Sequence, residues 1–220
     1  NIHVNFPTIL SRICKENNLD QFIHVSALGI EEAIDSDYAK SKLEGEKLVK
    51  ENFEKSTILK PSIVFSQDDG FSTKFLSLLN LLPFFPIFYN TKFTPIHCID
   101  FSKIIVEVIN RNICSTTIEC VGPQVLTFTE ILKILLKLIN KKRLLVPMPI
   151  LISKVMVKLF ELMPNPLMTL DQLKLLKYDN ILSGKYKSNK DFGIQSNLQF
   201  ENEVKKYSFM WTDGGEYSKK

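Results

Sequence analysis

The chain has 220 residues, 45% of them hydrophobic and 24% charged, enough to bury a sizeable single core. That composition excludes a disordered chain, a collagen-like chain and a disulfide-stapled miniprotein. The net charge of +4 is spread along the sequence and only Arg12, Arg111 and Arg143 are arginines, so a nucleic-acid face has few candidates for bidentate readout.

The periodicity predicts a helix over residues 6–17 with Ile9, Leu10 and Ile13 as its inner face. Phe22 to Ala27 is a short apolar run after a turn-like Asn17-Asn18-Leu19-Asp20, hence a buried strand. Asp37 to Phe53 reads as a helix with an Asp cap. Thr57 to Phe65 is a second strand, with Pro61 interrupting its ladder. A helix over about 72–82, an extended 93–97 segment and a helix from Asp100 to about Asn110 follow. Thr117 to Val121 is strand-like and ends at Gly122-Pro123. Thr129 to Ile139 is an amphipathic helix with Leu132, Leu135, Leu136 and Ile139 on one face. A strand at 144–146, helices over about 150–162 and 169–182, and a polar tail complete the chain.

Alternating strand and helix predict an α/β fold: part of a Rossmann-type parallel sheet with a small, mostly helical lobe. The division expected is 1–125 for the sheet domain, 126–210 for the lobe and 211–220 for the tail.

No spacing among Cys14, Cys98, Cys114 and Cys120 suits zinc, and no metal site is expected. Four thiols without a leader predict a reducing, cytoplasmic setting. No uncharged apolar run is long enough to span a bilayer. The Met148 to Met163 segment, with Lys154 and Lys158 on one side, offers two alternatives: packing within the lobe, or peripheral contact with a membrane or partner. Phe84, Phe85, Phe88 and Tyr89 either line a substrate pocket or fill the lobe interface.

Tyr38 and Lys42, four residues apart on a helix, share a face. An ammonium beside a phenol favours the phenolate and brings a poor acid–base group towards a working range. Ser26, at a strand's end, would supply a third hydroxyl to orient a carbonyl. The spacing recurs at Tyr186 and Lys190 in a polar stretch expected to be solvated loop.

The order Phe22-Ile23-His24-Val25-Ser26-Ala27-Leu28-Gly29, Tyr38-Ala39-Lys40-Ser41-Lys42, Leu59-Lys60-Pro61-Ser62-Ile63 and Thr94-Pro95-Ile96-His97 resembles the extended short-chain dehydrogenase/reductase superfamily, of NAD-dependent epimerase/dehydratase type. With Leu175 to Ser183, it looks most like the branch of the nucleotide-binding accessory subunit of complex I. The resemblance implies an NAD- or NADP-binding oxidoreductase or epimerase-like protein. Tyr38 and Lys42 would be the catalytic and ribose-binding pair, Ser26 the third catalytic member, and Pro61, Ser62 and Ile63 the lining of the nicotinamide end. In many epimerases the catalytic hydroxyl stands one residue further on, where this chain has Ala27. That departure motivates an alternative: a non-catalytic nucleotide-binding subunit docked on a respiratory or quinone-biosynthesis complex, peripheral to the inner membrane. The Gly-rich pyrophosphate turn of the superfamily is missing before Gly29, so the sequence reads as a fragment that should bind a dinucleotide weakly and fold poorly alone.

Overall fold

The structure, a computed structural model, describes residues 2–162, 164 and 166–217. The chain opens with α1 (Asn5–Glu16), followed by β1 (Phe22–Val25), α2 (Asp37–Asn52), β2 (Ser56–Pro61) and β3 (Val64–Phe65). Next come α3 (Ser72–Leu81), β4 (Phe84–Ile87), β5 (Lys92–Phe93), β6 (Ile96–His97), α4 (Cys98–Asn110) and β7 (Thr116–Cys120). The remainder is β8 (Leu126–Thr127), α5 (Phe128–Leu138), β9 (Leu144–Pro147), α6 (Ile150–Phe160), α7 (Leu170–Leu175), β10 (Lys187–Ser188) and α8 (Phe200–Ser208).

β1, β2, β7 and β10 form one parallel sheet in that order. Every residue of β2 is buried, as a strand covered on both faces requires. Pro61 is its last residue and still pairs with Cys120 of β7, so the expected break falls just after it, at Ser62 and Ile63. Ile104 and Val108 of α4 pack on Leu59, Ile118 and Cys120 from that sheet. Backbone bonds run on past β1, with Ser26 N donating to Leu59 O at 2.8 Å and Leu28 N to Pro61 O at 2.9 Å. The loop that carries the candidate site is therefore fixed to the sheet.

Two helix starts differ from expectation. Ser36, not an aspartate, caps α2, its hydroxyl accepting from Ala39 N at 3.2 Å. α4 begins at Cys98, capped by the His97 ring, and frees Asp100 to accept from Asn197 N and Leu198 N at 2.8 Å each.

α1 turns a different face inward than its apolar periodicity predicts. Ile9 and Ile13 are exposed and Leu10 is half-buried, while Pro7, Thr8, Ser11 and Cys14 are buried. The cause is close approach to α2: a Cβ on Gly45 would lie 2.1 Å from the His3 carbonyl oxygen. Only small side chains fit along such a contact.

The lobe core joins Phe65, Phe75 and Leu79 to Phe128, Leu135 and Phe200. Residues on both sides of position 125 thus share one core. Val204 and Tyr207 of the expected lobe are buried in that core, and the expected 211–220 tail is corrected at Trp211, which is buried there too, its Nε1 donating to Ser77 Oγ at 2.9 Å. The helix expected over 169–182 stops at Leu175. Beyond it Asn180 runs beside β5, its N donating to Lys92 O at 2.7 Å and its O accepting from Thr94 N at 3.2 Å. Those cross-chain bonds replace helical ones. Tyr186 is half-buried, with the Lys60 Nζ 5.3 Å from its ring centroid, and Lys187–Ser188 is a sheet strand, so this stretch is not solvated loop. Met163 and the last three residues of the expected tail lie outside the described residues.

Candidate functional site

The carboxyl ends of β1 and β2 lead into one cavity of about 280 Å³. Ala27 to Ile30 after β1, Tyr38 in the first turn of α2, and Ile63 after β2 form one side. α3, β5 and the 167–180 segment of the lobe close the other. Open parallel sheets bind ligands at this end of their strands. A larger, more open depression lies by Ser56 and Thr116 at the amino ends of β2 and β7, the wrong end for such a site.

Gly29 allows the two sides to meet. Its φ of +78° is in the left-handed region, and a Cβ there would stand 2.9 Å from the Asp179 carbonyl oxygen. Asn180 then ties the loop to the sheet: its Nδ2 donates to Leu28 O, and its Oδ1 accepts from Ser62 Oγ at 2.5 Å. Asp171 of α7 anchors the lobe to the start of α2. Its carboxylate accepts from Asp37 N at 2.9 Å, Tyr38 N at 3.1 Å and Ser36 Oγ at 2.9 Å. Burial alone would raise its pKa, but these donors outweigh burial and hold it below the usual carboxylate range.

Of the residues singled out in the sequence, Tyr38 and Ile63 line the cavity together. Tyr38 is 37% exposed, and the His3 ring meets it edge-on at 5.2 Å. Lys42 lies one turn on, but its Nζ donates to the Val25 carbonyl at 2.9 Å. Burial lowers the Lys42 pKa, opposed by Glu46. Burial likewise raises the Tyr38 hydroxyl above its ordinary range. The lowered phenol expected from the lysine neighbour is therefore not present in this arrangement.

Ser26 does not line the cavity. It is buried, and its hydroxyl donates to Glu46. Glu46 also meets Lys60 Nζ at 2.9 Å, and Lys60, fully buried, pairs with Glu31 as well. Pro61 and Ser62 are likewise engaged within the fold, through the Pro61 carbonyl to Leu28 N and the Ser62 hydroxyl to Asn180. Asp171 and Asn180 were not found from the sequence. Asn180 stands in a segment whose resemblance was noted, but its contact with Ser62 spans 118 positions. Among the described residues, no group of three or more His, Cys, Asp or Glu is placed to hold a metal ion.

A parallel sheet, a lobe over its carboxyl ends and a tyrosine–lysine helix at that cavity define a Rossmann-type α/β architecture. Solved structures bear this out. A dTDP-4-dehydrorhamnose reductase of Bacillus anthracis in complex with NADP superposes with a TM-score of 0.66 at 13% identity, covering 93% of this chain and 70% of that one. A UDP-glucuronic acid 4-epimerase of Bacillus cereus with NAD gives 0.65 at 18% identity, covering 94% and 67%. In sequence the chain is similar to the mitochondrial NADH-ubiquinone oxidoreductase 40 kDa subunit of Neurospora crassa, 26% identical over 88% of this chain and 52% of that protein. The mitochondrial NADH dehydrogenase [ubiquinone] 1 alpha subcomplex subunit 9 of Mus musculus shows the same 26%, again over 88% and 52%. The chain thus resembles extended short-chain dehydrogenase/reductases of the complex I accessory branch, and spans about half the length of these curated relatives. No protein-family model matches it.

Proposed function

We propose that this protein is an NAD- or NADP-binding oxidoreductase/epimerase-like protein of the complex I accessory branch. The observation that carries this reading is Tyr38, followed one helical turn on by Lys42, in the wall of a cavity at the carboxyl ends of parallel strands. Tyr38 and Ile63 would flank the nicotinamide end, with Lys42 in reach of the ribose. The Pro61 and Ser62 backbone holds Ile63 in place. A bound nicotinamide supplies the hydride chemistry. In this reading Tyr38 holds a proton at its Oη beside a carbonyl oxygen, and the apolar wall excludes water. In the full natural chain, Tyr38→Phe should cut carbonyl turnover about 10²–10⁴-fold while NADPH binding, read by nicotinamide fluorescence, survives. Unchanged turnover would refute the catalytic role.

A second reading is favoured by the positions of the other two polar groups. Ser26 is bonded to Glu46 and Lys42 to Val25, so neither is aimed at a substrate. Such a site suits a protein that holds the nucleotide structurally while docked on a respiratory complex, in keeping with relatives named as NADH dehydrogenase subunits. α6 offers a contact face: Leu151 is 77% exposed, with Val155 and Leu159 also exposed beside Lys154 and Lys158. Among the described residues no helix is long and apolar enough to cross a membrane, and α6 would meet a bilayer or partner through this exposed face. Nucleotide that stays bound without turnover and co-purification with a large complex in a native pull-down would support this reading. Release of free protein alone would count against it.

A further inference from the structure

We propose that the cavity beside Tyr38 takes a lipophilic carbonyl compound bearing one anionic group, and that Lys74 receives that group. The inference rests on the reading that this cavity is the substrate side of a nucleotide-binding site.

Its wall is largely apolar, built by Leu28, Ile63, Phe71, Phe75, Phe93 and Leu176 among others. The polar side chains in the wall are mostly spent on the fold. Asn180 bonds Leu28 O and Ser62, Asp179 accepts from Lys92 N at 2.8 Å, and the Tyr178 hydroxyl donates to Asp35 at 3.0 Å. Gln172 turns its amide oxygen to Thr169 N at 3.1 Å. Two groups differ. The Tyr38 hydroxyl and the Lys74 ammonium make no hydrogen bond or ion pair with the described residues. Lys74 is half-buried on α3, across the cavity from α2.

A ligand is selected by what it leaves satisfied. A sugar nucleotide, such as the UDP-glucuronic acid bound by one structural neighbour, carries many hydroxyls and a pyrophosphate. Here these would meet a largely apolar wall with few uncommitted polar groups, and each unpaired group would cost binding. A compact apolar body with a carbonyl towards Tyr38 and one carboxylate or phosphate towards Lys74 leaves no polar group of its own unpaired. The volume of about 280 Å³ agrees, since it lies at the small end of ligand cavities.

The test titrates the full natural chain with decanoate, decan-2-one and UDP-glucose by calorimetry, with and without NADPH, and reads NADPH binding separately by fluorescence. Decanoate should bind and UDP-glucose should not. Lys74→Met should weaken decanoate about tenfold to a hundredfold, leave decan-2-one unchanged and keep the melting temperature, since Lys74 makes no hydrogen bond or ion pair with the described residues. UDP-glucose binding at least as tightly as decanoate, or decanoate affinity indifferent to Lys74→Met, would overturn the proposal. Loss of every cavity ligand with NADPH still bound would sink the substrate class and spare the nucleotide reading. Decanoate binding that depends on Lys74 in a protein that ignores NADPH would do the reverse. Binding of neither would sink both.

Discussion

Lys60→Met removes a charge from the most enclosed electrostatic cluster in the fold. The Lys60 side chain has no exposure, that of Glu46 has 6% and that of Glu31 has 22%. Burial pulls the Lys60 pKa down, but hydrogen bonds and charge from Glu31 and Glu46 outweigh it and hold the ammonium above its ordinary range. Methionine keeps the apolar stem and leaves the Glu46 carboxylate with the Ser26 hydroxyl and only the unbonded charge of Lys42 one turn away. Removing one partner of a buried pair costs about 3–5 kcal/mol, far more than the ~0–1 kcal/mol of a surface pair. In a chain of this size that lowers the melting temperature by roughly 10 °C. The assay is urea unfolding followed by circular dichroism for the natural chain, Lys60→Met, Glu46→Met and the double variant. The double variant should be more stable than the sum of the two single losses allows, by about 1–3 kcal/mol. A single loss under about 1 kcal/mol, or strict additivity with an unchanged urea slope, would refute the reasoning.

Two other predictions concern the sheet edge and the first helix pair. His24 on β1 has its pKa lowered to about 4, by burial first and then by the Lys42 and His3 charges, and its buried Nε2 has no hydrogen-bond partner among the described residues. The unfolded chain protonates this ring first, near pH 6.5. Its contribution is therefore complete above that pH and is lost as pH falls towards 4, by on the order of 1–2 kcal/mol once screening of a partly exposed ring is allowed. His24→Asn should flatten that part of the stability profile, and identical pH slopes for both proteins would exclude the assignment. At the α1–α2 contact, Gly45→Ala gains about 1 kcal/mol of helix propensity but places its Cβ 2.1 Å from the His3 carbonyl oxygen. The overlap wins, and a net loss of about 2 kcal/mol with faster proteolysis of α1 is expected. A more stable Gly45→Ala protein would mean that α1 does not lie there.

What could be read along the chain was what repeats along the chain. The strands expected over 22–27 and 57–65 and found at 22–25 and 56–61, the helix bearing Tyr38 and Lys42, and the amphipathic α5 with Leu132 and Leu135 inside follow from short apolar runs and helical spacing. Those signals depend on backbone repeat and need no knowledge of distant neighbours. The same local logic misjudged α1, because which side of a helix is buried depends on what lies against it, and here a glycine on α2 admits only small groups. It extended α7 seven residues too far, because Asn180 exchanges helical bonds for bonds to Lys92 and Thr94. It left 211–220 as tail, although Trp211 joins Tyr207 in closing the lobe core.

The candidate site divides along the same line. By itself the sequence determined that Tyr38 and Lys42 share a helix face near a strand end, and that a parallel sheet would aim them at its carboxyl edge. Only the tertiary structure decided where the polar groups are spent: Ser26 on Glu46 across 20 positions, Ser62 on Asn180 across 118, and Asp171 on the first turn of α2 across 134. Such bonds form between whatever the packing brings together, because a buried hydroxyl or carboxylate must find a partner and takes the one the fold presents. Local periodicity carries no record of that choice.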